Sequence, residues 1–570
     1  MAPPPQLQTW VPWSEAAGVA RVTVEEFRDV LRNYRRSSLL IACSCLSVLF
    51  NFGLEGDITA GNDITAQWIP AFFSPKIAQR VMLLAQHGRL IFFQAQLRYL
   101  AREVIRLGTS DDDLPPVHDG AVGQLLLMAG ELLYRKYVTL DDPLDEMANK
   151  IATFLPFYEI DSVNAPTMQF LRFYTFLSVI IPRLPEHLRF YDVAALFEEQ
   201  FRFPLKEYCE FIFCFFMHAT TQRDKKSLEA AVDSAIGIGT FRYTSVSPEA
   251  LSRMFDTVCF TLDTPVEGKE PIGFADFDLL RDRPYLRYQE ELFCLDYEFA
   301  ANKMESGALW RVLRKLKSEA DKTNYLSFWG YVFEYYVAWL FEEYASTAEN
   351  RFYPSPTYTD DPSKQICDAI IVCGSTGVLV EAKLATCPSD VRYSGDYRKM
   401  RMFMEERLVV GKKGPVGVGQ LLNAIENITR LPPSALPSWI RHVRKFIPLI
   451  LTKDDIGSSW VVNSYLNTRF QEARKRHKAY TITPLVSMSV ATLERSMHAL
   501  RKHAFSDVLE DRIRSDKTLS RPFEAASKYA ARGRAISMSA HFEIFKQLTE
   551  DVITDFKLRD PGVENGNVAG

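Results

Sequence analysis

Two short apolar runs, residues 366–373 and 378–384, are rich in β-branched side chains and are separated only by a Gly-Ser-Thr-Gly segment. This pattern predicts a β-hairpin. Side chains alternate along a strand, so Glu381 and Lys383 share one face of the second strand. A two-residue turn at the Gly-Ser pair would place Asp368 opposite Glu381, and a four-residue turn would place it opposite Lys383. Both turns put the three polar residues on one face, whereas a three-residue turn would separate them.

Asp368, Glu381 and Lys383 together have the chemistry of a phosphodiesterase site. Two facing carboxylates repel, and in a partly buried site one of them takes up a proton unless a cation lies between them. Carboxylate oxygens suit Mg²⁺ or Mn²⁺. A lysine beside the metal can orient or help deprotonate the attacking water and offset charge on the phosphorus oxygens. The alternative is an ordinary cluster of charged side chains on a solvated strand face.

The segments on either side of the hairpin favour the metal site over that alternative. Upstream, residues 328–337 are so densely apolar that Glu334, the one carboxylate among them, needs a partner or a metal. Downstream, residues 419–425 predict an amphipathic helix. Two more strand-like runs follow at residues 446–451 and 483–488, and the proline inside each predicts an edge or strand-start position.

The predicted elements follow a recognisable order. A helix with a glutamate is followed by a strand with an aspartate, a strand with Glu-x-Lys, a helix with a glutamine and further strands. In this order the chain resembles the PD-(D/E)XK nuclease superfamily over roughly residues 306–500. The sequence departs from the family motif at Cys367, which stands where the motif has its proline. Many members lack that proline, so the departure weakens the resemblance more than the chemistry.

The resemblance implies a role for each polar residue of the set. Asp368 and Glu381 would bind the metal, and Lys383 would be the catalytic lysine. Glu334 would be the helix carboxylate that completes the metal shell, and Gln420 the polar helix residue found near the site in many members. The predicted catalytic residues are therefore these five, and the predicted metal ligands are the three carboxylates.

The charge distribution favours a nucleic-acid substrate. The chain has a net charge of −4, but residues 391–480 hold 17 Lys or Arg against 7 Asp or Glu, a balance of +10. A positive region beside a metal site is suited to the phosphate backbone of DNA, and RNA is an equally charged alternative. The alternative is that each basic cluster is an ordinary solvated helix face or loop with no role in binding. The predicted nucleic-acid-binding residues are Lys412, Lys413, Arg474, Lys475, Arg476 and Lys478.

Length and pattern predict several domains of mixed class. A chain of 570 residues, 47% of them hydrophobic, can build more than one core. We expect a large all-α N-terminal region, then an α/β restriction-endonuclease-like domain with a mixed sheet, then C-terminal helices. A small hairpin is predicted at residues 285–288 and 292–295. The expected divisions are a helical regulatory or recognition domain at 1–260, a linker with the hairpin at 261–305, the nuclease-like domain at 306–500, a helical extension at 501–558 and a disordered tail at 559–570.

Targeting signals and cysteine usage predict a cytoplasmic protein. The N-terminus has no basic segment followed by an apolar core, so no signal peptide is expected. Residues 37–54 form the longest uncharged apolar stretch, but polar residues and a glycine interrupt it, so we predict a buried helix rather than a membrane span. The nine cysteines are scattered through apolar runs, as reduced core residues are.

The sequence therefore predicts a Mg²⁺- or Mn²⁺-dependent endonuclease, with DNA as the expected substrate. Its helical half would control the nuclease or form a contact with a second copy or a partner protein. A large helical domain beside such a nuclease is similar in architecture to prokaryotic anti-phage defence effectors. The alternative is a noncatalytic platform that binds nucleic acid or protein and retains a nuclease fold. The complete Asp, Glu and Lys set favours catalysis, because a decayed site usually loses one member.

Overall fold

The structure is a computed structural model with helices on both faces of a central sheet and a second, smaller sheet beside it. The chain is therefore of mixed α/β class, as predicted. The residues that it describes are 10–53, 66–87, 89–107, 113–133, 140–158, 166–221, 235–239, 246–263, 271, 273, 276–412, 414–475, 479–516 and 539–555.

The central sheet has six strands and mixed polarity. In space the strands follow the order β10-β8-β7-β6-β5, and β9 also pairs with β8. The β5, β6 and β7 strands are antiparallel neighbours, whereas β8 is parallel to β7, β9 and β10. The strands are β5 Arg351–Pro354, β6 Ala369–Cys373, β7 Thr376–Lys383, β8 Lys445–Thr452, β9 Thr481–Ile482 and β10 Val486–Ser489.

The predicted hairpin is β6 and β7, and its turn has two residues. Cys373 pairs with Thr376, so the alternative four-residue turn is wrong. Gly374 has a φ of 58°, the left-handed conformation that tight hairpin turns require and that glycine adopts without strain. The register continues to a pair between Ala369 and Val380. The next position therefore places Asp368 beside Glu381, as the two-residue turn predicts.

The expectation that its proline would put β8 at an edge is wrong, because β8 lies inside the sheet. The backbone N–H groups of Lys445 and Lys453 both point toward β7. Alternation then turns the nitrogen of Pro448 toward the opposite side. On that side β9 has ended at Ile482 and β10 begins only at Val486. Proline has no backbone N–H, and at Pro448 this missing donor faces the gap between the end of β9 and the start of β10. The proline therefore costs β8 no hydrogen bond to a neighbouring strand.

Helices cover both faces of the sheet, which makes this part of the chain a three-layer sandwich. Val378, Val380 and Ala382 of β7 pack into one core, and Leu379 packs into the other. The first face is covered by helices Glu319–Leu340, Val490–Leu500 and Phe505–Ser515. The second face is covered by helices Tyr397–Met404, Val418–Arg430, Trp460–Ala473 and Pro143–Tyr158.

The chain before residue 260 is mainly helical but not all-α. Strands β1 Ile236–Gly237 and β2 Cys259–Phe260 lie within it and extend the predicted hairpin, β3 Tyr285–Tyr288 and β4 Glu291–Cys294, into a sheet of order β1-β4-β3-β2. Strands of two residues are too short to show the alternation of a strand, so no sequence pattern marks β1 or β2. The longer helices are Val24–Leu31, Arg36–Gly53, Pro75–Gln86, Gln94–Leu107, Asp119–Leu133, Pro143–Tyr158, Pro166–Thr175, Val193–Phe201, Leu205–Thr221 and Pro248–Val258.

The remaining expectations of the sequence concern single elements. The apolar stretch at residues 37–54 corresponds to helix Arg36–Gly53. Among the described residues, no helix is long and apolar enough to cross a membrane. All nine cysteines are free thiols. The C-terminal part contains helices Phe505–Ser515 and Ser539–Asp555. The tail predicted to be disordered, 559–570, lies outside the described residues.

The hydrophobic cores cross the predicted domain divisions. The core on the first face of the central sheet contains Phe170 and Phe211 from the helical half as well as Val380 and Leu548. The core of the N-terminal helices includes Phe293 from the small sheet. Segments far apart in sequence therefore bury their apolar side chains against one another, and the small sheet joins the two halves rather than spanning a gap between them.

Candidate active site

Asp368 lies one residue before β6 and bonds across the hairpin. Its Oδ2 accepts a hydrogen bond of 2.8 Å from the backbone N–H of Ala382. On the other side, its backbone carbonyl accepts from the N–H of Ser355, next to β5. The side chain of Gln365, at 3.4 Å, is near its Oδ1. These contacts fix the Asp368 carboxylate beside β7 without any helix or loop having to close over it.

Lys383 joins the two carboxylates of the hairpin. Its Nζ donates to Glu381 Oε2 at 2.7 Å and lies 3.4 Å from Asp368 Oδ2. The Glu381 side chain is 1% exposed, against 13% for Asp368 and 19% for Lys383. The structure thus brings the three predicted residues together on one face of the sheet, at the end of β7, with the lysine nearest to solvent.

Glu334 approaches the same group from helix Glu319–Leu340. Ser318 caps the start of that helix, because its side chain accepts a hydrogen bond from the N–H of Asp321. Glu334 is half-buried, and within the described residues its carboxylate has no hydrogen bond or ion pair. Burial, and then repulsion from Asp368, raises the pKa of Glu334 to about 8, against an opposing effect of Lys383.

The electrostatics of the group show an excess of negative charge. Burial raises the pKa of Glu381 to about 8, with Asp368 adding to the shift and Lys383 opposing it. Burial by itself lowers the pKa of Lys383, but the two neighbouring carboxylates outweigh it and the net pKa is raised. One ammonium therefore does not neutralise three carboxylates that share a partly buried site.

A divalent cation fits this donor set. Mg²⁺ and Mn²⁺ prefer carboxylate oxygens, and Glu334, Asp368 and Glu381 supply three such groups against the single ammonium of Lys383. In the described part of the chain, however, no three His, Cys, Asp or Glu side chains are gathered closely enough to form a metal cluster. The cation in contact with Glu381 and Asp368 is the Lys383 ammonium. The three carboxylates are thus of the type that binds Mg²⁺ or Mn²⁺. Their side chains do not converge closely enough, among the described residues, to form a metal cluster.

Gln420 is not joined to this group by any contact among the described residues. Its Oε1 accepts a hydrogen bond of 2.9 Å from the N–H of Gly417, and it thereby caps the start of helix Val418–Arg430. Gly417 has a φ of 42°, and a Cβ there would lie 2.3 Å from the carbonyl oxygen of Leu408. The contact therefore gives Gln420 a capping role, which its position in the sequence did not reveal.

The described members of the predicted nucleic-acid-binding set contact protein groups other than the three carboxylates. Lys412 is exposed and forms an ion pair of 3.1 Å with Glu406. Arg474 donates to the carbonyl of Ile482 at 2.8 Å, and Lys475 bonds Glu426 at 2.8 Å. The other predicted residues, Lys413, Arg476 and Lys478, lie outside the described residues.

Arg474 and Lys475 are at the wrong end of the sheet for a direct role at the carboxylates. They follow helix Trp460–Ala473 and precede β9, which pairs with Lys445 at the start of β8. The carboxylates lie beside Thr452, at the other end of β8. A strand of this length spans ~23 Å. The pattern of charge along the sequence could not show which end of the sheet each cluster occupies.

A buried ion network, which the sequence did not predict, lies behind the group. Lys453 donates its backbone N–H to the carbonyl of Lys383 at 3.0 Å, and its Nζ lies 3.3 Å from Glu305. Arg172 bonds Glu494 at 2.7 Å and lies 3.2 Å from Glu305. The charged side chains of the network are 2–6% exposed. Because its members come from four distant segments, no local pattern marks them.

The network also reaches the Glu334 helix and the C-terminal helix. The Tyr336 hydroxyl donates to Glu494 at 2.6 Å and contacts His541 at 3.2 Å. His541 is bonded as well to Tyr344, at 2.8 Å. The helix that presents Glu334 is thus bonded through Tyr336 to Glu494 of the network and to His541 of the C-terminal helix.

Comparisons with known proteins give this chain no relative. No protein-family model matches it. No curated protein and no solved structure matches it either. The geometry and charge of the group formed by Glu334, Asp368, Glu381 and Lys383 are therefore the basis for any statement about its chemistry.

Proposed function

We propose that the chain is a metal-dependent nuclease with a restriction-endonuclease-like fold of the PD-(D/E)XK superfamily. One observation carries the proposal. Asp368, Glu381 and Lys383 share one face at the end of a mixed sheet, and the Lys383 ammonium lies 2.7 Å from Glu381 and 3.4 Å from Asp368. The Glu334 carboxylate, which has no hydrogen bond or ion pair among the described residues, is electrostatically coupled to Asp368 and Lys383. An accidental surface cluster rarely combines burial, surplus negative charge and a lysine in contact with two carboxylates.

The residues divide the work of hydrolysis. Asp368 and Glu381 would hold Mg²⁺ or Mn²⁺, with Glu334 completing its shell. When bound, the metal supplies a polarised phosphate and a more acidic water. Lys383 orients the attacking water and offsets the negative charge that develops on the phosphorus oxygens. The N–H of Ala382 fixes the Asp368 carboxylate, so little reorganisation is needed when the substrate binds.

DNA is the proposed substrate, and the positive balance of residues 391–480 supports it. Arg398 and Lys399 are exposed, and Lys399 contacts the backbone of Asp390. Asp390 lies just after Cys387, whose thiol is electrostatically coupled to Asp454 at the end of β8. These two basic residues are therefore at the same end of the sheet as the carboxylates, where a phosphate backbone would pass. A cytoplasmic role in anti-phage defence, under the control of the helical half, is the setting that we propose.

The central test is cleavage of plasmid and linear DNA by purified variants in the presence of Mg²⁺. Asp368→Ala, Glu381→Ala and Lys383→Ala should each lower the rate by at least about 10²-fold, as loss of a group that stabilises the transition state does. Asp360→Ala and Lys317→Ala, at exposed positions, are the matched controls and should cleave normally. Near-normal cleavage by Lys383→Ala in a folded protein would remove the lysine from the mechanism.

The same proteins distinguish the nuclease from a noncatalytic binding platform. A nuclease binds Mn²⁺ and cleaves, with both properties lost in Asp368→Ala. A platform would bind DNA without cleaving it in any metal, and the Asp368→Ala variant would bind as tightly as the parent chain. Cleavage assays on RNA substrates, run in parallel, show whether the protein distinguishes ribose from deoxyribose.

A further inference from the structure

A cavity of about 190 Å³ lies beside the small sheet, away from the carboxylate group. It is lined by residues from the end of helix Pro248–Val258, from β2 and its next residue, and from β3 and the segment just before it. The space holds several water molecules, which is room for a phosphoryl group. Its lining residues are Phe255, Asp256, Cys259, Thr261, Arg283 and Arg287.

The side chains of the two arginines that line the cavity make no direct polar contact with the described part of the chain. Within the described residues, neither Arg283 nor Arg287 has an ion pair or a hydrogen-bond acceptor, although both are half-buried. The Arg287 guanidinium lies 5.6 Å from the centre of the Phe255 ring, which holds it over the cavity. Asp256 is exposed at the rim and, in the part of the chain that is described, pairs with neither arginine. Their guanidinium groups are therefore free to donate hydrogen bonds to an anion in the cavity.

The surroundings add to the positive potential. Just before Arg283, Asp282 is shared by three cations: Lys303 at 3.8 Å and Arg311 and Arg314 at 3.5 Å each. Burial, and then the charge of Arg311, lowers the pKa of Lys303 well below its usual value. One carboxylate thus serves three cations next to the cavity. The excess positive charge there is not used by the carboxylate group at the central sheet.

We propose that this cavity binds the phosphoryl group of a small anion, held by Arg283 and Arg287 together. Guanidinium groups bind phosphate oxygens through paired charge-assisted hydrogen bonds. The site is separate from the proposed nuclease chemistry and does not depend on it.

A small anion suits the site better than a nucleic-acid strand. The cavity is bounded by a helix and two strands, whereas a strand of DNA needs an open groove that continues past each phosphate. Asp256 at the rim would also repel the neighbouring phosphates of a polymer. The free phosphate ion and the terminal phosphate of a nucleotide share the chemistry that the arginines recognise, and the experiment separates them.

The experiment is calorimetric titration of the full-length protein with inorganic phosphate, pyrophosphate and AMP at low salt. Arg283→Gln and Arg287→Gln should each weaken binding by about tenfold or more, since each substitution removes charge-assisted hydrogen bonds to the phosphoryl oxygens. Arg253→Gln, an exposed residue on the same helix as Asp256, is the matched control and should leave affinity unchanged. Tighter binding of AMP than of phosphate identifies a nucleotide; equal binding identifies the free ion.

Three outcomes would overturn the proposal. The first is the absence of binding heat with all three ligands. The second is binding that Arg283→Gln and Arg287→Gln do not change. The third is displacement of the bound anion by a short single-stranded oligonucleotide that lacks a terminal phosphate, because that result assigns the arginines to a nucleic-acid strand. Circular dichroism in the near ultraviolet confirms that each variant is folded, and loss of binding in an unfolded variant is not counted as support.

Discussion

At the scale of single residues, the candidate site depends on how three carboxylates share one lysine. Glu381 is almost fully buried, and Lys383 compensates its charge directly at 2.7 Å. Asp368 has two contacts: it lies near the Lys383 ammonium, and it accepts a hydrogen bond from the backbone N–H of Ala382. Glu334 has neither contact and is related to the others only through the electrostatic field. Its contribution to a bound cation should therefore be secondary.

The first prediction concerns that difference. Glu334→Gln should weaken Mn²⁺ binding, but less than Asp368→Ala does, because in the proposed site Glu334 would complete the metal shell and not form it. Calorimetric titration with Mn²⁺, together with the cleavage rate, gives the comparison. Glu342→Gln, on an exposed part of the turn that follows the same helix, is the control. If Glu334→Gln leaves both affinity and rate unchanged, Glu334 has only a structural role.

Elements bring the site together through contacts that span the chain. The ion network of Arg172, Glu305, Lys453 and Glu494 connects a helix of the N-terminal half to the end of β8 and to helix Val490–Leu500. Removing one member of a buried network leaves the others without a partner, which costs far more than the network contributes in total. Arg172 bonds two carboxylates, so its loss leaves the largest uncompensated charge.

We therefore predict that Arg172→Met lowers the free energy of unfolding by about 3–5 kcal/mol. Urea denaturation at neutral pH measures the change as a shift of the midpoint. Arg183→Met is the matched control, because Arg183 is exposed, and its effect should stay within about 0.5 kcal/mol. A midpoint that moves equally little in both variants would show that the network is not formed in solution.

The two ends of the central sheet give different expectations for DNA binding. Arg398 and Lys399 lie at the end that carries the carboxylates, and Arg474 and Lys475 lie at the other end and bond to protein groups. Replacing the first pair by glutamine should lower the slope of log affinity against log salt by about 2, at ~0.9 per duplex phosphate contact. The second pair, replaced in the same way, is the control. If the slope falls only when Arg474 and Lys475 are replaced, the DNA-binding surface lies at the end of the sheet opposite to the carboxylates.

At the scale of the whole molecule, local pattern predicted the hairpin and its polar face because both depend on neighbouring residues. The turn follows from one glycine, and the shared face of Asp368, Glu381 and Lys383 follows from alternation along two adjoining strands. The position of Pro448 inside the sheet was not predictable, since it depends on where β9 ends and β10 begins. The partners of Arg172 were equally inaccessible, because they lie 133 and 322 residues away along the chain.

The same long-range packing bears on whether the two halves can be separated. The core on the first face of the central sheet takes aromatic side chains from both halves. Phe173 stacks on Trp329 with ring centres 5.9 Å apart, and Phe176 meets Tyr336 edge-on at 5.0 Å. Each large side chain of this kind contributes roughly 1.5–3 kcal/mol when buried. A few such losses equal the whole stability of an ordinary domain, about 5–15 kcal/mol.

We accordingly predict that residues 262–570, expressed alone, do not fold cooperatively, so regulation by the helical half has to be tested in the full chain. Thermal unfolding and near-ultraviolet circular dichroism of the fragment should show no cooperative transition and no fixed aromatic environment. A chain ending at residue 558, which lacks only the tail predicted to be disordered, is the control and should melt like the full protein. A fragment that melts sharply would show that the central sheet is stable without Phe173 and its neighbours. The effect of the helical half on the proposed cleavage could then be measured directly by comparing the fragment with the full chain.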